Sequence, residues 1–243
     1  MVLAIVLTAA VEVSAFQFEL YYFETDQLQY HIGETMEMFA RILADFSDMG
    51  WCYVSFSVVA DSGTIYVDER MISPSPDVRY ISSKYCIEPS DLFPGENGTK
   101  AYAIFNAELF DGYSETVTET IELNISRGQL DCKALSNLTF EENTNTTLYF
   151  QVVSRHNQSI AYAESDLLFI LSDNNSNQVF KRYTNTNMSG IASTSIEQNL
   201  LSTGNYSLEI LSNATATWEP INETFDIEVV KEMIAAGIRI IQY

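Results

Sequence analysis

Residues 201–211, LSTGNYSLEIL, decide the fold of this chain. After Gly204 the side chains alternate strictly, so that Tyr206, Leu208 and Ile210 fall on one face and polar residues fall on the other. This two-residue period is typical of a β-strand with one buried face. A tyrosine near the start of such a strand is expected to bury its ring and to bond its hydroxyl to nearby backbone, as in the second-to-last strand of a β-sandwich.

Strands of the same character lie on both sides of this stretch, at intervals of about ten residues. Each is bounded by polar turn residues, and they cover residues 146–153, 166–171, 179–183, 191–196 and 224–229. Parallel strands need crossover connections, which are usually helices, and no amphipathic helix is indicated between residues 127 and 230. The second half of the chain is therefore predicted to be an antiparallel sandwich.

The motifs of this half resemble those of immunoglobulin-like, macroglobulin-type domains of secreted prokaryotic proteins. The matching residues are Ser189-Gly190-Ile191, Gly204-x-Tyr206-x-Leu208 and Phe225-x-Ile227-x-Val229. The resemblance covers about one hundred residues, the usual size of such a domain. It implies a fold and a secreted setting, and it implies no particular activity.

The first half of the chain contains a similar series of alternating stretches, at residues 33–40, 51–60, 64–72, 78–87, 100–109 and 116–125. The predicted fold class is all-β, with two tandem immunoglobulin-like antiparallel β-sandwiches preceded by an apolar N-terminal helical segment. The predicted domains are an apolar N-terminal segment at 1–23, sandwiches at 24–126 and 127–231, and an apolar C-terminal tail at 232–243.

Charge excludes one class of partner. The chain has 33 acidic and 12 basic residues, which gives a formal net charge of -21. So negative a protein is repelled by nucleic acids and by anionic membrane surfaces. No nucleic-acid partner is expected.

Acceptor motifs for N-linked glycans, Asn-x-Ser/Thr, are the strongest compositional pattern in the chain. Most of them lie after residue 127, which predicts that the second sandwich is the more exposed one. The predicted glycosylation sites are Asn97, Asn124, Asn137, Asn145, Asn157, Asn174, Asn187, Asn205, Asn213 and Asn222.

Three cysteines leave two alternatives open. Cys52 and Cys86 lie in predicted strands of the first sandwich, where a disulfide between them could form in an oxidising compartment and leave Cys132 unpaired. Three small buried thiols are the other alternative. No CxxC pair accompanies the two histidines, His31 and His156, so no metal site is predicted.

No catalytic residue is predicted, and an enzyme is not expected. Both histidines fall in predicted loops, whereas a Ser-His-Asp arrangement needs a histidine held against its nucleophile. Glu141 and Glu142 are adjacent acids, but neighbours in a strand point to opposite faces and could not flank one glycosidic bond. No glycine-rich phosphate loop is present, and no cofactor is expected.

The N-terminus has two interpretations. Residues 2–11 are an uncharged apolar run, followed by Glu12 and the aromatic-rich residues 16–23. A secretory signal peptide, cleaved after Ala15, is one interpretation. The other retains the segment, because an apolar N-terminal helix before glycosylated immunoglobulin-like domains resembles archaeal type IV pilins and archaellins. That resemblance implies a filament core assembled through Val2, Leu3, Ile5, Val6, Leu7, Val11, Phe16 and Phe18.

These patterns predict an extracellular structural protein of the cell surface. The first hypothesis is a glycosylated subunit that self-associates into a homopolymeric, pilus-like filament. The alternative is a secreted adhesin or ligand-binding module with a cleaved signal peptide, which holds a carbohydrate or another surface ligand.

Overall fold

A computed structural model describes residues 17–45, 51–73, 75–110 and 114–231. Within these ranges the chain is all-β and has no helix. In chain order the strands are β1 (Gln17–Thr25), β2 (Gln29–His31), β3 (Thr35–Asp45), β4 (Trp51–Ala60), β5 (Gly63–Ile72), β6 (Ser75–Cys86), β7 (Thr99–Phe110), β8 (Ser114–Ser126), β9 (Leu130–Ala134), β10 (Thr139–Glu141), β11 (Thr146–Ser154), β12 (Asp166–Asp173), β13 (Gln178–Asn185), β14 (Ile191–Ile196), β15 (Gly204–Leu211) and β16 (Asn222–Val230).

The described strands form four sheets, a three-stranded and a five-stranded one from each half of the chain. The first half supplies sheets of order β1-β3-β6 and β2-β8-β7-β4-β5. The second half supplies sheets of order β14-β11-β9 and β10-β16-β15-β12-β13.

The predicted fold class is wrong as stated, because the sheets are mixed and the described residues contain no helix. β2 runs parallel to β8, and β10 runs parallel to β16. The absence of a helical crossover predicts antiparallel neighbours only, yet the chain between β10 and β16 returns through five other strands instead. The predicted N-terminal helical segment is wrong over residues 17–23, which belong to strand β1.

The remainder of the predicted N-terminal segment lies outside the described residues, as does the predicted tail at 232–243. Phe18, one of the predicted assembly residues, lies in β1 opposite Ala44 of β3. No helix in the part of the chain that the structure describes is long and apolar enough to cross a membrane.

Contacts divide the chain into two compact units. Unit 1 is the described part of Met1–Leu28, Met36–Tyr85 and Ala101–Leu123, and unit 2 is the described part of Gln29–Thr35, Cys86–Lys100 and Asn124–Tyr243. The predicted domain bounds, with a junction at residues 126 and 127, stay a prediction.

The core of unit 1 is built from the inward faces of two sheets. Phe23 of β1 approaches Phe56 of β4 and Phe105 of β7, with ring centroids 6.3 and 5.8 Å apart. Every second residue of β3 joins this core, and Met36 and Met38 are fully buried. The intervening residues of β3 therefore face outward, which positions the site described below.

Unit 2 has an equivalent aromatic centre. Phe150 of β11 approaches Phe169 of β12 and Phe225 of β16, with ring centroids 5.5 and 5.1 Å apart. Because β11 belongs to the three-stranded sheet and its partners belong to the five-stranded sheet, these rings hold the two sheets face to face.

The predicted backbone bond of the Tyr206 hydroxyl is confirmed, whereas the Tyr206 residue is half-buried and not part of the core. Its hydroxyl donates to the carbonyl oxygen of Ser202 at 2.9 Å and accepts from the Ser202 N–H at 3.2 Å. The following inward residues of β15, Leu208 and Ile210, are buried as the alternation predicts. This tyrosine thus fixes the turn that leads into β15.

Candidate functional site

The outer face of the sheet β1-β3-β6, in unit 1, carries a cluster of aromatic side chains that we call the aromatic surface. It consists of Tyr21 and Tyr22 of β1, Phe39 and Arg41 of β3, and Tyr80 of β6. Tyr21 is 49% exposed and Tyr80 is 70% exposed. Exposed aromatic residues gathered on one face point to a binding surface, whereas scattered ones need no explanation.

A bulge in β1 creates part of this surface. Leu20 pairs with Ile42, and Tyr22 pairs with Arg41, so Tyr21 is an extra residue between two paired positions. Bulges redirect side chains in this way. Here the bulge places two consecutive tyrosines at the outer face instead of one.

An open cavity of about 240 Å³ lies on the aromatic surface. Its lining combines aromatic rings with a carboxylate and a hydroxyl, and comprises Tyr22, Glu24, Phe39, Ala40, Tyr80, Ile81 and Ser82. Within the described ranges, no side-chain partner is found for the Glu24 carboxylate or for the Ser82 hydroxyl. Both groups can therefore bond a ligand without first breaking a contact.

Arg41 holds the two most exposed rings of the surface together. The guanidinium carbon of Arg41 lies over the Tyr21 ring at 5.2 Å from its centroid and over the Tyr80 ring at 5.3 Å. These distances are within the range of cation–π attraction. The Nε atom of Arg41 is buried beneath this surface and has no hydrogen-bond partner among the described residues.

The aromatic surface cannot be recognised from the sequence alone. Its only indication was the aromatic-rich run at residues 16–23, which was assigned to the N-terminal segment. Phe39, Arg41 and Tyr80 are far from that run in the chain, and only the pairing of the three strands brings them to it.

The predicted glycosylation sites lie mostly at the surface. Eight are exposed, and Asn124 and Asn157 are half-buried. Asn137, Asn157 and Asn187 each accept, through Oδ1, the backbone N–H of the hydroxyl residue two positions on, at 3.1, 3.1 and 2.9 Å. These local turns hold the asparagine and the hydroxyl of each motif next to each other. Which sites carry a glycan stays a prediction.

Asn157 is one of the two half-buried acceptor asparagines. Its side-chain Nδ2, the atom that would carry a glycan, donates to the Sγ of Cys86 at 3.3 Å. A glycan at this position would have to displace that contact.

All three cysteines are free in the structure. Cys52 is buried in the core of unit 1, and the Cys86 Sγ accepts a hydrogen bond from Asn157 within unit 2. Whether Cys52 and Cys86 form a disulfide in an oxidising compartment stays a prediction. Burial raises the pKa of the Cys52 thiol to about 11. Burial, with the nearby Glu223 carboxylate, raises the pKa of the Cys132 thiol to about 12.

These two thiols are expected to resist alkylation at pH 8. The thiolate is the reactive form, and a rise in the thiol pKa from 9.0 to about 11 lowers the thiolate population at pH 8 by about 100-fold. Iodoacetamide labelling followed by peptide mass spectrometry should show Cys52 and Cys132 modified at least that much more slowly in the native chain than in denaturant. Equal native and denatured rates would contradict the burial of Cys52 and the partial burial of Cys132. Resistance in denaturant without reductant would reveal a disulfide.

The histidines, predicted to lie in loops, meet each other in unit 2. His31 of β2 and His156 have stacked rings, with centroids 5.6 Å apart and an angle of 5° between the planes. The His31 Nδ1 lies 2.8 Å from the carbonyl oxygen of Arg127, and the His156 Nδ1 lies 3.2 Å from a carboxylate oxygen of Glu34. No group of three or more metal-binding side chains occurs among the described residues, and no nucleophile is seen bonded to either ring there.

Comparisons with known proteins do not identify a family for this chain. No family model and no curated protein matches the chain. Among solved structures, it is similar to the crystal structure of a tetra-tandem repeat in the extending region of a large adhesion protein, with 12% sequence identity and a TM-score of 0.38. The match covers 86% of this chain, which spans only 48% of that structure.

Proposed function

We propose that the chain is an extracellular, adhesin-like binding protein whose aromatic surface takes a saccharide. The observation that carries this proposal is the cavity on β1-β3-β6, where Tyr22, Phe39 and Tyr80 stand beside Glu24 and Ser82. Sites that combine apolar and aromatic residues with a few polar groups are typical of small-ligand binding.

The chemistry of a pyranose ring fits this lining. Such a ring has an apolar C–H face that packs on an aromatic ring, and a rim of hydroxyls that need donors and acceptors. Glu24 supplies acceptors, and the Ser82 hydroxyl supplies a donor. Charged groups make the stronger hydrogen bonds to such hydroxyls.

The size of the cavity and the net charge of the chain restrict the class of ligand further. The cavity, about 240 Å³, is smaller than the roughly 300–1,000 Å³ of sites for drug-sized ligands, which suits one sugar residue of a longer glycan. The net charge of -21 disfavours strongly anionic polysaccharides. We therefore expect a neutral glycan.

Binding of the full chain to an array of neutral glycans tests this function, with Tyr80→Ala as the diagnostic variant. Removing this 70% exposed ring should weaken binding by at least tenfold, which corresponds to about 1.4 kcal/mol. Tyr102→Ala is the matched control, because Tyr102 is an exposed tyrosine of β7 that does not line the cavity. Equal affinities for the two variants, or no binding by the wild-type chain, would overturn the proposal.

Glycosylation and surface localisation belong to the same proposal. Eight of the ten acceptor motifs have exposed asparagines, and a coat of glycans would keep the chain soluble outside the cell. The mass of the protein taken from its native cells, before and after removal of N-glycans, checks this part independently of ligand binding.

Self-association into a filament is a second proposal, supported by the apolar residues 2–11. Because β1 begins at Gln17, such assembly would depend on residues that precede this strand. Light scattering should find the native mature chain polymeric, and a chain that begins at Gln17 monomeric. A monomeric mature chain that retains residues 2–11 would exclude the filament.

A further inference from the structure

Four residues of unit 2 form one row across four strands. Tyr183 of β13 pairs with Leu168 of β12, Leu168 pairs with Leu211 of β15, and Leu211 pairs with Asn222 of β16. Directly paired residues of neighbouring strands share a face of the sheet. The four side chains therefore lie side by side.

This row is on the outer face of the sheet. Leu167 and Ile210, the chain neighbours of Leu168 and Leu211, are buried in the core, and successive side chains of a strand point to opposite faces. Tyr183, at the end of the row, is 70% exposed. The outer face thus presents two leucines and a tyrosine in a line.

A cavity of about 430 Å³ lies over the row. Its lining is largely apolar and comprises Asp166, Leu167, Leu168, Tyr183, Leu211, Ser212, Asn213, Pro220, Ile221 and Asn222. Two of these residues, Asn213 and Asn222, are exposed asparagines of glycan acceptor motifs. An apolar cavity beside two such motifs suggests that an attached N-glycan covers it.

The geometry favours Asn222 over Asn213 as the attachment point. Asn222 is a member of the row, whereas Asn213 follows the end of β15 and is paired with no residue of the row. Strands are spaced about 4.8 Å apart, so the Tyr183 position is about 14 Å from Asn222, across Leu211 and Leu168. Two or three linked sugar rings that leave Asn222 along the row would reach it.

We propose that the N-glycan of Asn222 lies in this cavity, over Leu211 and Leu168, and stacks its outer sugar on Tyr183. The apolar faces of the sugars then cover the leucines, and the Tyr183 ring provides the platform at the far end. The Lys181 ammonium, 5.8 Å from the centroid of the Tyr183 ring, is a donor for the sugar hydroxyls. The inference rests on the proposed glycosylation and is independent of the saccharide site in unit 1.

A double-mutant cycle on protein from the native cells, or from a host that glycosylates Asn222, tests the inference. Glycopeptide mass spectrometry must first find a glycan at Asn222. Asn222→Gln and Tyr183→Ala should each lower the Tm of the unit 2 transition by about 2–4 °C. The Tm of the double variant should be no lower than that of either single variant. Tyr183→Phe keeps the ring and should keep the wild-type Tm.

Asn174→Gln is the matched control, since Asn174 is an exposed acceptor asparagine that does not line the cavity. It should leave the Tm unchanged. Additive losses for Asn222→Gln and Tyr183→Ala, or coupling of Tyr183 to Asn213 instead, would overturn the inference and leave the proposed glycosylation intact. Absence of glycan from all ten motifs would overturn both.

Discussion

Phe150→Ala is expected to lower the unfolding free energy of unit 2 by about 3–5 kcal/mol. Phe150 is fully buried at the centre of β11, and its ring contacts Phe169 and Phe225 of the opposite sheet. Alanine would leave a cavity between the two sheets, and neither neighbouring ring can move far into it without leaving its own strand position. Since the total unfolding free energy of a domain of this size is about 5–15 kcal/mol, unit 2 would lose much of its stability.

Urea denaturation followed by circular dichroism measures this loss, and Tyr149→Ala provides the control. Tyr149 precedes Phe150 on the same strand but is 47% exposed on the opposite face. The control removes an aromatic side chain of similar size, but it should lower the unfolding free energy much less because it leaves no enclosed cavity. Similar losses for the two variants would mean that the face of β11 that packs inward is misassigned.

Gly190→Ala is expected to destabilise unit 2 for a different reason. Gly190 has a φ of +71°, where a residue with a side chain is strained by about 1–3 kcal/mol. A Cβ atom at this position would also lie 2.2 Å from the carbonyl oxygen of Val152. The backbone would have to move, and the 2.9 Å hydrogen bond from the Val152 N–H to the Gly190 carbonyl would be disturbed with it.

Gly95→Ala separates these two causes. Gly95, also in unit 2, has a similar φ of +64°, but a Cβ atom there would have nothing within 4 Å. Gly95→Ala should therefore show the cost of backbone strain alone, and Gly190→Ala should cost clearly more in the same denaturation experiment. Equal losses would show that the close approach to Val152 is relieved without penalty.

Most strands could be predicted from sequence because each has one buried and one exposed face. β4, Trp51–Ala60, and β14, Ile191–Ile196, have the bounds that alternation alone indicated. β2 and β10 are three residues long, which is too short for alternation to be visible, and these are the strands that pair in parallel. Their omission made the predicted sheets purely antiparallel.

β1 was misassigned for a different reason. Its inward Phe23 reaches the core, while its outward Tyr21 and Tyr22 belong to the aromatic surface, so the strand is apolar on both faces and has no clear period. Without that period, residues 17–23 merged with the apolar run before them.

The sites depend on register, which sequence does not reveal. The aromatic surface needs the bulge at Tyr21, and the row from Tyr183 to Asn222 needs three correct strand pairings. A shift of one residue in any pairing would turn a member of the row to the other face of its sheet. The acceptor motif at Asn222 was visible in the sequence, but its neighbours were not.

The parallel pairing of β10 with β16 has a mechanical consequence. A tension that draws the N-terminal end of β10 and the C-terminal end of β16 apart acts along both strands and slides one past the other. The bonds from the Glu142 N–H to the Val230 carbonyl, at 2.8 Å, and from the Glu228 N–H to the Leu138 carbonyl, at 3.0 Å, then bear the load together. A hairpin pulled open from its free end breaks such bonds one after another, whereas this edge yields only when they shear at once.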